Sequence, residues 1–315
     1  MALRLGKRLL VFAGTFFAAS LLIFGLLAIV PGDPAQVALG VNATPEALAQ
    51  MRAEFGTDRP LPAQYLSWIS GLLTGDFGTS YISRAPIGPQ IMARAQVTAW
   101  LATLSLILSV LVAIPIGVLA ATRRRKASGT VLSAAAVIGI AVPSFILALI
   151  LITTFAVRLG WLPSGGWVAP SESPIGFAKS IVMPVVTLGL VQAALLSRYV
   201  RSATLEVLNQ DYMRTARAKG LTARQAYLRH GMRNTLIPIL TVLGLMVAAL
   251  LVDTIIVEKV FVVPGLGDLL LTGATNRDQL MVQGIVMVIV TVVLVVNLIV
   301  DMLYVVVDPR LRRTT

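Results

Sequence analysis

Six long apolar runs constrain the fold of this chain more than any other feature of its sequence. A helix needs about 20 apolar residues to cross the hydrocarbon core of a membrane. Hydrophobic residues make up 57% of the 315 positions and charged residues 13%, whereas soluble domains average about 45–50% apolar and about 25% charged. We therefore expect an all-α integral membrane protein that forms one transmembrane domain, residues 1–315. The expected spans are Leu9–Val30, Val97–Ala121, Val131–Val157, Ile181–Ser197, Thr235–Val257 and Met281–Val307.

Three prolines lie inside these expected spans: Pro115, Pro143 and Pro184. Proline is tolerated in membrane helices because neighbouring groups can satisfy the freed backbone carbonyl. Each of the three is therefore able to bend or interrupt its span, and the residue type alone does not say which of them does.

The basic residues indicate which side of the membrane each connection faces. The N-terminal tail, the loops after spans two and four, and the C-terminal tail together hold 18 of the 26 Lys and Arg residues. The C-terminal contribution is Arg310, Arg312 and Arg313. Because basic loops stay in the cytoplasm, we expect a multi-pass protein of the cell (plasma or inner) membrane with cytoplasmic N- and C-termini.

A structured extracytoplasmic loop, residues 31–96, is expected between spans one and two. The run Thr44–Glu46 supplies an N-cap, a proline at the first helical position and an early acid, so a helix is predicted through Phe55. A second amphipathic stretch, Gln64–Leu73, contains Trp68. Since tryptophan is enriched at membrane interfaces, this stretch is expected at the bilayer surface.

The segment after span four, residues 198–234, holds eight Lys and Arg residues in an otherwise apolar chain. Eight basic residues at mid-bilayer would cost about 20 kcal/mol or more, so the segment must stay outside the membrane. Asp211 is a candidate cap for a helix Tyr212–Lys219, and Gly220 suits the left-handed residue that ends such a helix. The run Thr222–Gln225 has the spacing of a capping box for a second helix. Two short helices joined by a glycine corner are predicted.

Several interpretations of this basic segment stay open. It could serve only to fix the topology, or one of its helices could rest on anionic lipid. Nucleic-acid binding is disfavoured because no set of aromatic residues for base stacking accompanies the charge. Docking of a cytoplasmic protein is favoured, since capped helices around a glycine form a fixed projection rather than a flexible tether.

The order of motifs resembles one protein family over almost the whole chain. The stretch DYMRTARAKGLTARQAYLRHGMRNTLIP, from Asp211 to Pro238, is similar to the signature loop of ABC-transporter permeases, in the version carried by dipeptide, oligopeptide and nickel importers. Ala216 and Gly220 fit the general pattern of that loop. Arg214 stands where the general pattern has Glu and Arg233 where it has Pro, and both departures look like those of the peptide-type subfamily. The other matching motifs, in order, are PGDP, PLPAQYLSW, GDFGTS, VPSF, LGWLPSGG, VEKVFVVPGLGDLL, NRDQLMVQG and IVDMLYVVVDPR.

The resemblance implies the six-helix fold of an ABC importer permease, which forms half of a translocation path for short peptides. It also implies three kinds of protein partner: a second homologous permease subunit, two cytoplasmic ATPase subunits and an extracytoplasmic solute-binding protein. Membrane lipid is expected from the composition, and no nucleic-acid partner is expected. Residues 198–234 would be the cytoplasmic coupling loop, whose first helix seats in a groove of an ATPase subunit. The implied ATPase-coupling residues are Asp211, Tyr212, Arg214, Thr215, Ala216, Arg217, Ala218, Lys219 and Gly220.

The chain itself is expected to be non-catalytic. It has no G-x-x-x-x-G-K-[ST] phosphate loop, so ATP and Mg would bind the partner ATPase subunits and no cofactor is expected on this chain. Cysteine is absent and His230 is the only histidine, so no metal site is expected.

Two further sets of residues are candidates for contact with the transported solute or with the solute-binding protein. Ionisable groups inside spans are costly and usually functional, which singles out Asp253, with Gln192 and Asn297 as neutral companions. For Asp253, a structural bond to a neighbouring helix and a position facing the path are equally open. The resemblance makes the outer loop and the turn after span five candidate contacts for the solute-binding protein, at Trp68, Phe77, Pro264 and Gly265.

Other functions stay in view at this point. A nickel or other small-solute ABC importer is the nearest alternative to a peptide importer. A secondary transporter is less favoured, because ion coupling usually leaves several charged or broken-helix sites at mid-membrane. An intramembrane enzyme would need a cluster of nucleophile, base or metal ligands, which this composition makes hard to assemble.

Overall fold

The computed structural model describes residues 2–30, 32–40 and 43–307, and helices account for the regular structure of these residues. Pro31 and the basic C-terminal residues Arg310, Arg312 and Arg313 lie outside the described residues. The helices are α1 (Ala2–Ile29), α2 (Pro34–Leu39), α3 (Pro45–Phe55), α4 (Leu61–Thr74), α5 (Ile87–Thr122), α6 (Ala127–Ala141), α7 (Ser144–Leu151), α8 (Pro174–Leu208), α9 (Asp211–Ala218), α10 (Ala223–Ala226), α11 (Met232–Val260), α12 (Leu266–Thr275) and α13 (Gln279–Val307). Two π-helical turns, Ile152–Arg158 and Tyr227–Gly231, follow α7 and α10.

Five helices of the described residues are long and apolar enough to cross a membrane, and a bent pair brings the number to six if it is one span. These five segments correspond to five of the expected spans. The fourth, expected at Ile181–Ser197, is part of the 35-residue helix α8, so the apolar run marks only the middle of a much longer helix. The five segments are Gly6–Ile29, Ile87–Thr122, Pro174–Leu208, Pro238–Val260 and Gln279–Met302.

The third expected span, Val131–Val157, is sharply bent, and it is a single span only if its two helical parts are taken together. The chain bends by 97° between Ala127–Ala141 and Ser144–Arg158. Pro143 has no N–H to donate and pushes the preceding residue out of the helical region, and Val142 is accordingly extended, with φ −83° and ψ 116°. Pro115 and Pro184, in contrast, lie inside unbroken helices.

The chain divides into two compact units. The first comprises Met1–Thr98 and Pro264–Val295. Its interior holds two apolar clusters, which draw residues from the outer loop and from α1, α5, α12 and α13. One cluster is Ile23, Trp68, Ile69 and Met287, and the other is Ile87, Ile91, Leu266, Leu269, Met281 and Ile285.

The helix predicted in the outer loop is confirmed. It is α3, and the Thr44 hydroxyl accepts a hydrogen bond from the backbone N–H of Ala47 at 3.2 Å. The helix ends at Gly56, which has a left-handed φ of 69°. These local signals specify the helix without help from the rest of the fold.

A buried carboxylate anchors the end of the outer loop to the start of α13. Asp278 is 2% exposed and accepts hydrogen bonds from the Ser80 hydroxyl and from the backbone N–H groups of Tyr81 and Met281, the last two at 3.4 and 3.3 Å. Burial, and secondarily the negative charge of Asp278, raises the pKa of Tyr81 to about 12. The phenol therefore stays neutral beside the carboxylate.

Replacing Asp278 with alanine is expected to destabilise the first unit by about 2–4 kcal/mol, because three donors to a charged acceptor lose their partner. The Asp278→Asn variant should lose less, since the amide oxygen can still accept. The measurement is thermal unfolding of the purified protein, together with the rate of tryptic cleavage after Arg84. The matched control is Asp58→Ala, which removes an exposed acid of the same loop. Equal unfolding temperatures for Asp278→Ala and Asp58→Ala would rule out the anchoring role.

The second unit comprises Ala99–Val263 and Val296–Thr315. Its core lies between α5, α8 and α11 and contains Ala113, Ala193, Leu196, Val200, Ile239 and Met246. At Gly117 a Cβ would lie 2.6 Å from the Val200 Cβ and 2.7 Å from the Ser197 carbonyl oxygen. Small residues permit such close approach of membrane helices, so Gly117 sets the distance between α5 and α8.

Candidate functional site

The basic segment folds into the predicted corner, with one correction at its start. The first helix is Asp211–Ala218, and Gln210 occupies the cap position without a side-chain bond. Asp211 is therefore the first helical residue rather than the cap. Lys219 is the C-cap of the helix, and Gly220 follows with a φ of 91°.

Gly220 is needed for its backbone conformation and not for space. A Cβ built on it would meet nothing within 4 Å. A positive φ is nevertheless strained for residues with a side chain. The sharp turn after α9 therefore depends on glycine at this position.

The predicted capping box is confirmed. The Thr222 hydroxyl accepts from the Gln225 N–H at 3.3 Å, and the Gln225 side chain accepts from the Thr222 N–H at 3.0 Å. The second helix is only Ala223–Ala226, and a π-helical turn carries the chain directly into α11. Pro238 lies inside α11, and the apolar part of that helix that is long enough to cross a membrane begins at this residue.

Two residues of α9 attach the corner to the rest of the second unit. Met213 is 1% exposed and Ala216 is 8% exposed. They pack with Val207 of α8 and with Ala226 and Tyr227. Ala216, expected among the docking residues, therefore holds the helix in place. Met213 was not singled out from the sequence, although its position three residues before Ala216 puts both on one helical face.

The opposite face of α9 is exposed and predominantly basic. Arg214 and Arg217 project from the helix and Lys219 follows at its end. Arg214 also lies 3.5 Å from Asp211, with both side chains exposed, an arrangement that contributes little to stability. The exposed residues of the expected docking set are Asp211, Tyr212, Arg214, Thr215, Arg217, Ala218, Lys219 and Gly220.

A buried group of hydroxyls ties the corner to two long helices. The Tyr227 hydroxyl lies 3.3 Å from the hydroxyl of Thr204 on α8 and donates to the hydroxyl of Thr235 on α11 at 3.3 Å. On the exposed side, the Asn234 amide donates to the Tyr212 hydroxyl at 2.9 Å. α9 is therefore linked to α8 and α11 through packed and hydrogen-bonded contacts.

The structure brings two of the three path candidates together. The Gln192 amide of α8 donates to the Asp253 carboxylate of α11 at 3.1 Å. Gln192 is buried, with 3% of its surface exposed. Asp253 therefore makes a structural bond to a neighbouring helix, which was one of the two roles considered for it. Asn297 is exposed on α13, and a Cβ at Gly244 would lie 3.2 Å from its amide oxygen.

The residues expected to contact a solute-binding protein are less accessible than their motifs suggested. Trp68 is 8% exposed and Gly265 is buried, whereas Phe77 and Pro264 are half-buried. Trp68 lies in the core of the first unit because Ile23 and Met287 cover it. The indole therefore packs inside the first unit, and the expected position of Gln64–Leu73 at the bilayer surface stays a prediction.

Two turns of the second unit present exposed apolar side chains that the sequence did not single out. The Gly166 N–H donates to the Phe261 carbonyl at 2.8 Å, and a Cβ at Gly165 would lie 2.4 Å from that oxygen. This contact joins the turn at Gly165 and Gly166, which lies between the π-helical turn Ile152–Arg158 and α8, to the end of α11. Beside it, Trp161 is 65% exposed and Val262 is 74% exposed.

Comparisons with known proteins cover almost the whole chain. Residues 113–313 match the family described as binding-protein-dependent transport system inner membrane component, and residues 1–106 match the model described as its N-terminal membrane component. The glutathione transport system permease protein GsiC of Salmonella choleraesuis (strain SC-B67) is 39% identical over 306 residues, 97% of both chains. GsiC of Escherichia coli (strain K12) is 38% identical with the same coverage. An inward-facing structure of the MetNI methionine ABC transporter is similar in fold, with a TM-score of 0.57 and 18% identity over 69% of this chain and 96% of that chain.

Proposed function

This chain belongs to the binding-protein-dependent transport system inner membrane components, the permease subunits of ABC importers, and on that premise we propose that it forms half of a path for short peptides. The GsiC relatives are named for transport of glutathione, which is itself a short peptide. Nickel or another small solute is the alternative cargo. Membership of this family displaces the secondary transporter and the intramembrane enzyme as alternatives.

The observation that carries the proposed mechanism is the construction of α9. Met213 and Ala216 fix one face of the helix to the second unit, and a basic face is left exposed. A rigid, exposed helix with three cationic side chains suits a groove on another protein, since charged rims steer association and fix register. In this account the groove belongs to an ATPase subunit, which supplies ATP and Mg binding.

The proposed mechanism also requires further partners and one orientation of the chain in the membrane. A second homologous permease completes the path, two ATPase subunits bind on the cytoplasmic side, and a solute-binding protein approaches from the opposite side. Residues 123–126 and the α9 corner are both basic, so the positive-inside rule puts both in the cytoplasm. The N- and C-termini then lie on that side as well.

Uptake in a strain lacking this gene tests the substrate class. We expect the strain to lose import of di- and tripeptides, including glutathione, and to regain it when the gene is restored. Nickel uptake should be unchanged. Loss of nickel uptake with normal peptide uptake would favour the alternative cargo.

Replacing Asp253 with alanine is expected to lower uptake about tenfold, a change of about 1.4 kcal/mol in the transport barrier, with little change in assembled complex. The carboxylate is an ionisable group in an expected span, and such groups usually serve function. The measurement is peptide uptake normalised to the amount of complex recovered from membranes.

The Asp253→Asn variant separates the two roles that Asp253 can play. Asparagine can still accept from Gln192, so a purely structural role predicts normal uptake, whereas a role on the path requires the charge and predicts low uptake. Asp301→Ala is the control, because Asp301 is also an acid of an expected span but lies near its end. Normal uptake by Asp253→Asn would contradict a role on the path.

A further inference from the structure

A cavity of about 530 Å³ lies between α5, α6 and α8 within the second unit. Its volume is within the range of about 300–1,000 Å³ that ligand pockets occupy. It is separate from the exposed face of α9 and from the Gln192–Asp253 pair, because Asp253 and the residues of α9 are not among its walls. The coupling and path roles proposed above therefore leave it unexplained.

The walls of the cavity are amphipathic. Ile116 of α5, Leu132 and Val137 of α6 and Leu195 of α8 supply an apolar part. Arg198 and Arg201 of α8 supply a cationic part, and no carboxylate is among the lining residues that the structure describes. A ligand that fits both parts carries an anionic group on an apolar body.

Arg201 gives a second, independent indication of an anionic ligand. Its Nε atom is buried and has no hydrogen-bond partner among the described residues. Buried polar groups nearly always have a partner, and a buried unpaired donor is costly. An oxyanion in the cavity would bring a negative charge to the guanidinium group of Arg201, which lines the cavity.

The two arginines follow the most apolar part of α8, so we expect them at the level of the head groups of a bilayer. Arg198 directly follows the expected span Ile181–Ser197. On α5, the cavity wall at Ala120 lies two residues before the end of the helix and is followed by the basic run Arg123–Lys126. Basic pockets between membrane helices at such a level bind anionic lipid head groups.

We infer that this cavity binds one anionic phospholipid from the leaflet next to Arg123–Lys126, with its phosphate at Arg198 and Arg201 and its apolar part along α5 and α6. Free phosphate and the carboxylate of a peptide share the oxyanion chemistry. Free phosphate has no apolar body to cover Ile116, Leu132 and Val137, and a peptide adds an ammonium group for which these walls hold no carboxylate, so lipid fits the walls better.

The test is native mass spectrometry of the full-length protein, purified with the subunits that accompany it and titrated with phosphatidylglycerol or phosphatidylcholine in mixed micelles. We expect phosphatidylglycerol to bind about tenfold more tightly. Each of Arg198→Gln and Arg201→Gln should weaken phosphatidylglycerol binding about fivefold, since one basic residue near a membrane surface is worth about that factor. Arg124→Gln, an exposed arginine outside the cavity, is the matched control and should leave binding unchanged.

Three results would overturn the inference: equal binding of the two lipids, equal effects of Arg201→Gln and Arg124→Gln, or displacement of phosphatidylglycerol by millimolar inorganic phosphate or by a dipeptide. The last result would show an oxyanion site that does not require lipid. If Arg201→Gln does not fold, Arg198→Gln decides the same question, because Arg198 is exposed and its replacement leaves the packing intact.

Discussion

Replacing Gly220 with valine is expected to abolish ATP-driven uptake while the amount of protein in the membrane stays within about twofold of the unaltered protein. Gly220 has a φ of 91°, and holding a non-glycine residue in a sparsely populated region costs about 1–3 kcal/mol. A β-branched side chain is among the least tolerant there. The strain would be relieved by opening the turn, which moves α9 from its fixed position. The measurement is peptide uptake together with ATP hydrolysis stimulated by loaded solute-binding protein.

Gly160→Val is the matched control for this substitution. Gly160 also has a positive φ, 63°, and open space around its Cβ position, so it suffers the same kind of strain in a turn away from α9. Gly220→Asn should recover much of the lost activity, because asparagine tolerates left-handed conformations better than other non-glycine residues. The account fails here if stimulated ATP hydrolysis survives in Gly220→Val, or if Gly160→Val uncouples to the same extent.

Reversing two charges on the exposed face of the corner, with Arg217→Glu and Lys219→Glu together, is expected to reduce stimulated ATP hydrolysis and uptake at least about tenfold. Both side chains are exposed, so the fold should be unaffected. Like charges placed opposite each other at an interface cost several kcal/mol, and about 1.4 kcal/mol is already a factor of ten. The readout is co-purification of the ATPase subunits, followed by hydrolysis and uptake.

A double reversal elsewhere serves as the control: Arg123→Glu with Arg125→Glu makes the same change of charge in the loop after α5. Both of these arginines are exposed. Protein levels in the membrane must be compared for both double variants, because basic loops also set topology. If the two double variants lose activity equally at equal protein levels, the loss results from the change in net charge and not from the position of the two residues at α9.

The parts of the fold that the sequence predicted well are those determined by local interactions. The caps at Thr44 and Thr222 and the turn at Gly220 each depend on residues within one or two helical turns, so spacing alone identifies them. The apolar runs predicted the spans for the same reason, since the requirement for about 20 apolar residues is local. The boundaries of α8 were missed because its polar ends continue the helix beyond the membrane core.

The parts that the sequence did not predict depend on contacts distant along the chain. The burial of Trp68 was not predicted, because Ile23 and Met287, which bury it, are distant from it along the chain. Ala216 was placed among the docking residues because it fits the family pattern, whereas in the fold it packs with Val207 and Tyr227. Pro143 breaks its span and Pro184 does not, and the residue type is identical at both positions. The cavity at Arg201 likewise exists only because three helices meet there.

The central claim is that the α9 corner contacts a nucleotide-hydrolysing partner, and photo-crosslinking from a single cysteine tests it most directly. The chain has no native cysteine, so Ala218→Cys, at an exposed position of α9, can carry one benzophenone probe. Ser128→Cys, exposed beside the other basic loop, is the reference position. The account predicts that the probe at 218 crosslinks to an ATP-binding polypeptide in the intact complex and that the probe at 128 does so much less. Crosslinks from 218 to lipid alone, with no ATP-binding polypeptide attached, would contradict it.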